Sequence, residues 1–326
     1  MLWQTVQKIP ILPSNQSPLG ALPARFRRER LLIVGCGDIG QRVARQVAGR
    51  FTVRALTSSP SRVLPLRQLG LTPLLGDLDA PRGLARLAGI ATRVLHLAPP
   101  PSEGLGDRRT WALNAALRLR RLPTSYVYGS TSGVYGDCQG EVVTETRPVG
   151  AISARALRRV DAELRVRHLG RATGTRVSLL RIPGIYALDR ANGTPETRLQ
   201  KGTPVLQAND DVFTNHIHAD DLARACIAAL WRGRSQRVYN VNDNTQMKMG
   251  DYFDVAADIL GLPHPPRISR VEAQAKLTPM MMSFMSESRR MDNTRLVREL
   301  ALRLRFPTIR EGLRMPLPDQ PVVACP

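Results

Sequence analysis

Leu31-Leu32-Ile33-Val34-Gly35-Cys36-Gly37-Asp38-Ile39-Gly40 is the stretch on which the reading of this 326-residue chain turns. Four apolar residues in a row suit a strand buried on both faces. The Gly-x-Gly-x-x-Gly that follows has a physical reason at each glycine. Gly35 permits a tight turn, Gly37 lacks a Cβ where backbone would approach a pyrophosphate, and Gly40 lets the next helix sit close to the strand. Ile39, Val43 and Val47 recur every four residues, so the spacing predicts an amphipathic helix with Arg42 and Arg45 turned outward. Its first turn, with Asp38 and Ile39, would offer free N–H groups and a partial positive charge to phosphates. The competing reading is an ordinary strand-to-helix turn with no ligand.

Composition sets the bounds. The length allows a sizeable core in one large or two modest domains. A hydrophobic fraction of 43% suits a globular protein. No apolar run approaches the roughly 20 residues of a membrane span. Pro10 and Pro13 interrupt Ile9, Ile11 and Leu12, which breaks a signal-peptide core. The expectation is a cytoplasmic protein with no membrane partner. Cys36, Cys138, Cys226 and Cys325 form no Cys-x-x-Cys pair, so neither a zinc site nor a disulfide framework is expected.

The formal charge of +20 invites a nucleic-acid reading. Against it, the basic residues are scattered, and only Lys8, Lys201, Lys248 and Lys276 of the 47 are lysines. The run Arg25-Phe26-Arg27-Arg28-Glu29-Arg30 is short and reads as a solvated lead-in more readily than as a phosphate patch. Nucleic acid is therefore not the expected partner.

Along the chain, apolar strand patterns alternate with helical ones. Phe51 to Leu56 reads as the second strand, ending at Thr57-Ser58-Ser59-Pro60-Ser61-Arg62. An acidic residue here, about 20 positions past the first glycine, would bond the ribose hydroxyls of NAD. None is present, and Thr57, Ser58 and Arg62 would tolerate a 2′-phosphate, which favours NADP over NAD. Further strands are expected at 71–75, 94–98, 126–132, 176–182 and 237–241, with helices through Leu84, Leu87 and Ile90, over 111–122, over 153–168 and over 293–302. This rhythm predicts an α/β protein with a Rossmann-type doubly wound parallel sheet.

The order of motifs resembles the extended short-chain dehydrogenase/reductase family, of the NAD-dependent epimerase/dehydratase type, and within it the YeeZ-like branch. The matching pieces are Gly35 to Gly40; Gly76-Asp77-Leu78; His96-Leu97-Ala98; Ser130-Thr131-Ser132-Gly133-Val134-Tyr135-Gly136-Asp137; Arg181-Ile182-Pro183-Gly184-Ile185-Tyr186; and Asn215-His216-Ile217-His218-Ala219-Asp220-Asp221-Leu222-Ala223. The resemblance implies that Asp77 and Leu78 meet the adenine and that Leu97, Ala98 and Pro99 line the cofactor groove. It places Pro183, Gly184 and Ile185 beside the nicotinamide, and Thr131 where the family keeps a catalytic Ser or Thr.

One part of the pattern departs. The family places a Tyr and, four residues on, a Lys on the helix after the Val-Tyr-Gly loop. Counted back from Ala162-Glu163, those places hold Arg155 and Arg159. Arg159 could still bond the ribose. Arg155 could steady an oxyanion, but a guanidinium cannot shuttle a proton near neutral pH. Tyr126 and Tyr128 read as core, and Tyr135 as shaping its loop. His216 and His218 read as part of a structural motif, with Asp220 or Asp221 capping the next helix, and not as metal ligands.

The expected organisation is an N-terminal extension over 1–29, a Rossmann domain over 30–186 and 213–247, and a smaller C-terminal substrate domain over 187–212 and 248–326. In the latter, Arg289 and Arg290 could face the cleft and hold an anion. Met280 to Met282 with Phe284 and Met285 read either as core or as an adaptable apolar surface. The functional expectation is an NAD(P)-binding oxidoreductase or epimerase acting on a sugar-nucleotide-like or other small polar substrate. The alternative is a non-catalytic NAD(P)-binding sensor or scaffold. A homodimer is one of the states the sequence leaves open.

Overall fold

A computed structural model describes residues 29–314. The expectations for 1–28, for Cys325 and for the tail beyond 314 lie outside the described residues. Seven parallel strands form one sheet: β1 (Glu29–Val34), β2 (Phe51–Thr57), β3 (Thr72–Leu75), β4 (Arg93–His96), β5 (Ser125–Thr131), β6 (Arg176–Ile182) and the strand Arg237–Asn240. Their spatial order is the last strand, then β6, β5, β4, β1, β2, β3, so the order reverses between β1 and β4. Open parallel sheets bind ligands in the crevice at such a reversal. Glu29 already pairs with Phe51, so the sheet begins one residue inside the expected extension.

Leu31, Leu32, Ile33 and Val34 are fully buried, as a strand covered on both faces requires. On one face lie the helices α1 (Asp38–Val47) and Ala219–Arg232, and on the other α2 (Arg108–Leu117) and α3 (Ala154–Thr173), each filling its own apolar cluster. The predicted segment through Leu84 and Leu87 is a 3-10 turn over Pro81–Leu87, with both leucines buried. The helix expected at 111–122 starts earlier, because Asp107 accepts the amides of Arg109 and Thr110. Among the methionines of the 280s, Met285 is core, while Phe284 is half exposed.

A third apolar cluster gathers Tyr186, Leu199, Val205, Tyr252, Phe253, Met285 and Ile309 beyond the C-terminal edge of the sheet. Where it meets the sheet, Asp243 is buried, and its carboxylate takes the Thr245 amide at 2.9 Å. Burial, with Asp221 nearby, pushes its pKa up to about 7. The folded protein therefore binds a proton at Asp243 that the unfolded chain has released above its ordinary range near 4. Stability falls as pH rises from about 4 to about 7, and this loss is complete above the folded pKa. Asp243→Asn is expected to flatten that limb of a melting-temperature profile, a change read by calorimetry across pH 4–8.

Candidate active site

The phosphate end of the groove is built by the glycine turn. Gly35 has φ of +84°, and a Cβ there would stand 2.4 Å from the Ala98 amide nitrogen, so only glycine lets β1 and β4 end side by side. A Cβ on Gly40 would meet Ile33 at 3.1 Å, which is the close helix–strand approach the motif demands. Around Gly37 there is nothing within 4 Å of that position. Helix α1 has no side-chain cap, whereas α2 is capped by Asp107 and α3 by Ser153. The first-turn amides at Asp38 and Ile39 therefore need a partner from outside the helix. A dinucleotide pyrophosphate fits such a cradle. Cys36 is buried in the turn, its thiol pushed up to about 11 by desolvation, and is not a thiolate at neutral pH.

At the end of β2, Thr57 turns back to take the Ser59 amide, and Ser58 is exposed. Arg62 folds over the glycine turn and donates from Nη2 to the Cys36 carbonyl at 2.7 Å. Asp77 is exposed, whereas the Leu78 side chain is buried in the core, so its backbone is what a ligand could meet. Ala98 is buried and Leu97 half-buried at the end of β4.

From there a cleft of about 740 Å³ opens between the sheet end and the third apolar cluster. Pro99, Thr131, Arg155, Arg159, Pro183, Gly184 and Ile185 line it, whereas the glycine turn and the end of β2 do not. Thr131 Oγ1 accepts the Gly133 amide at 3.3 Å, which leaves its O–H free to donate. Arg159 donates to the Tyr128 hydroxyl at 3.0 Å and to the Gly129 carbonyl at 2.8 Å, so it is held rigidly beside β5. Burial raises the Tyr128 pKa and Arg159 opposes that shift. Tyr126 and Tyr128 are fully buried, and the Tyr135 hydroxyl donates to Asn240, so these three serve packing and structure. Arg155 is exposed and lies over the Phe284 ring at 4.9 Å, across the cleft mouth.

The lining also holds Arg158 and Arg198, which no motif had marked, and Arg289. Arg158 donates to the Gly104 carbonyl. Arg198 lies on the Phe253 ring at 4.4 Å, with buried Nε and Nη2 atoms lacking any hydrogen-bond partner. Arg289 is 8% exposed, bonds the Gly136 carbonyl and Glu287, and has an unpartnered Nε. Against these five arginines the described lining has one carboxylate, Glu287. Arg289 thus meets the expectation of a cleft position. Arg290 does not line the cleft: it donates to the Gly140 carbonyl and lies over the ring of Phe213, which does.

Two further expectations are corrected. Arg42 is not turned outward: at 6% exposure it bonds Asp38 (3.0 Å), Asp189 (2.6 Å) and Asp220 (2.6 Å). Nor do Asp220 and Asp221 cap the helix Ala219–Arg232. His218 does, accepting the Asp220 amide through Nδ1, because Asp221 is fully buried and accepts the amides of Arg305 and Phe306. His216 lines the cleft, stacks on Tyr252 at 4.2 Å and is kept neutral by burial, which pushes it down to about 3. Among the described residues no group of three or more His, Cys, Asp and Glu side chains is placed to hold a metal. No helix among them is long and apolar enough to cross a membrane.

The fold and the glycine cradle define a Rossmann-type protein of the extended short-chain dehydrogenase/reductase class. A sequence model of the NAD dependent epimerase/dehydratase family matches residues 31–242, and the chain belongs to that family. No match was found among curated proteins. A conserved protein of unknown function from Silicibacter pomeroyi DSS is 30% identical, with a TM-score of 0.72 over 87% of this chain and 96% of that one. UDP-glucose 4-epimerase from Thermotoga maritima shares the fold at 16% identity, with a TM-score of 0.72 and the same coverage, 87% and 96%. DesIV, a dTDP-glucose 4,6-dehydratase from Streptomyces venezuelae, does so at 22% identity and a TM-score of 0.70, covering 87% and 94%.

Removing one partner from a buried charge cluster typically costs about 3–5 kcal/mol. The three carboxylates around Arg42 are each a third to a half exposed, so water recovers part of that cost. Arg42→Leu is expected to lose about 2–3 kcal/mol in urea unfolding, more than the roughly 0.5 kcal/mol of a surface arginine. A loss under 1 kcal/mol would remove Arg42 from the framework of the site.

Proposed function

We propose that this protein is a nicotinamide-dinucleotide-dependent oxidoreductase of the epimerase/dehydratase type, acting on an anionic, nucleotide-sugar-like small molecule. The observation that carries this reading is an uncapped helix start beneath open space at Gly37, running into a cleft lined by five arginines. The solved relatives include an epimerase with UDP-glucose and a dehydratase with NAD and TYD bound, which supports the same ligand classes here.

The proposed roles follow from the donors each residue has left. The amides of Asp38 and Ile39 take the pyrophosphate, and Leu97 to Pro99 with Pro183 to Ile185 wall the nicotinamide half. When bound, the nicotinamide supplies a reversible hydride acceptor. Thr131 donates to the substrate oxygen as charge builds on it. Arg159 takes the place of the family's lysine toward the ribose, and Arg155 stabilises an oxyanion without exchanging a proton. Arg198 and Arg289, with unpartnered nitrogens, hold the substrate's phosphates. Residues 187–212 and 248–314 form the substrate-holding part.

A second reading is favoured by the replacement of the proton-shuttling Tyr and its Lys by Arg155 and Arg159: a dinucleotide-binding sensor that does not turn over. Turnover of a nucleotide-sugar panel, followed by product analysis, separates the two. Tight NADPH binding with no product formed would favour the sensor.

Arg62 lies over the turn where an adenosine ribose would sit, with no acidic residue among Thr57 to Arg62 to bond the free hydroxyls. NADP is therefore the proposed form. Arg62→Ala is expected to weaken NADPH binding about tenfold or more in titration calorimetry, while NADH changes less than about twofold. Equal effects on both would contradict the assignment.

A further inference from the structure

The loop 187–193 reaches back from the cleft to the phosphate end of the groove. It is a compact unit: Arg190 N donates to Ala187 O at 3.3 Å, Gly193 N to Arg190 O at 2.8 Å, and Ala187 N to Gly193 O at 3.3 Å. A Cβ on Gly193 would stand 2.3 Å from Ala187 O, so glycine is what allows this closure. Two neighbouring side chains tether it. Asp189 takes Arg42 Nη2 at 2.6 Å, and Arg190 Nε lies 3.2 Å from Asp38 Oδ2 while its Nη1 donates to the Ile185 carbonyl at 3.1 Å.

Asp38 is the first residue of α1, so the Arg190 guanidinium stands at the helix end that faces the phosphates. Both Arg190 Nε and Asp38 Oδ2 are buried atoms, yet neither makes a hydrogen bond. They are close enough to attract and are not aligned to bond. Arg42, by contrast, is committed to three carboxylates. Beside the helix start, Arg42 and Arg190 stand among the carboxylates of Asp38, Asp189 and Asp220, and Arg62 lies over the turn itself. Carboxylates at a helix start oppose a pyrophosphate unless a nearby cation turns toward it. Of Arg42 and Arg190, it is Arg190 that has donors to spare.

We propose that Arg190 is a ligand of the dinucleotide pyrophosphate, leaving Asp38 for a phosphate oxygen when the cofactor binds. This rests on the dinucleotide reading given under Proposed function. It assigns a cofactor contact to a loop 150 residues beyond the glycine turn, and it makes Asp38 a competitor of the phosphate.

The test is titration calorimetry of the full chain with NADPH, NADP⁺ and NADH, on wild type, Arg190→Ala, Arg190→Lys and Asp38→Asn. Arg190→Ala is expected to weaken all three about tenfold or more, since the pyrophosphate is common to them. Arg190→Lys should recover part of that loss, and Asp38→Asn should tighten binding. If Arg190 merely braces the loop through Asp38, the alanine and asparagine variants change affinity in the same direction, and the proposal is overturned. It is also overturned if Arg190→Ala binds within twofold of wild type. Wild type that binds none of the three would bring down the dinucleotide reading itself, an outcome distinct from either of these.

Discussion

Helix α1 begins without a cap, and the rest of the site is arranged around that deficit. Four other helix starts are satisfied by N-cap side chains, as Asp107, Ser153, His218 and Ser269 accept first-turn amides, and at the uncapped helix Met249–Leu260 Asp211 takes the Gly250 amide. At Gly37 nothing does. The orphan donors and the helix dipole sit at the crevice between β1 and β4, where the Leu97 and Ala98 amides both turn to the Val34 carbonyl and the two strands part. An unsatisfied helix end at a strand reversal is a standing demand for an anion.

Arginine does most of the electrostatic work around that demand. In the interior it is placed with its partners: Arg42 with three aspartates, and Arg181 with Glu163 through two nitrogens, Glu163 also accepting from the Ser130 hydroxyl. Such pairs resist loss of either member more than they add net stability, so they serve to fix β5, β6 and α3 in one arrangement. Unpartnered donors remain at Arg181 Nη1 in the interior and, in the cleft lining, at Arg198 and Arg289. The +20 formal charge of the chain is thus in part a concave, specific feature, although many arginines remain scattered over the surface.

Much of the sheet was legible because its signals are local. A run such as 31–34 buries itself whichever neighbours it has, and the strand positions at 176–182 and 237–240 follow from the same rule. The glycine turn was legible for each glycine's own steric reason. What escaped was set by distance in sequence. Arg42 looks outward on a helical wheel, but Asp189 and Asp220 stand 147 and 178 residues away. Asp220 and Asp221 have the chemistry of caps, yet Asp221 is drawn inward by the amides of Arg305 and Phe306, and His218 takes the capping role. Arg158 and Arg198 carry no motif at all, and their place in the cleft follows only from how two apolar clusters meet. Arg155 and Arg159 were marked through the family resemblance, by counting back from Ala162-Glu163, and their spacing of four puts both on one helix face.

Gly37 offers the most direct test of the uncapped helix start. Its φ of −76° is open to any residue, and no atom lies within 4 Å of where a Cβ would stand. A valine there should leave the fold untouched and fill only the space a pyrophosphate would enter. Titrating NADPH by its own fluorescence against wild type and Gly37→Val is predicted to give saturable binding in the first and none in the second, with melting temperatures within about 2 °C. Equal binding by both proteins, or by neither, would contradict the placement of a dinucleotide on this helix.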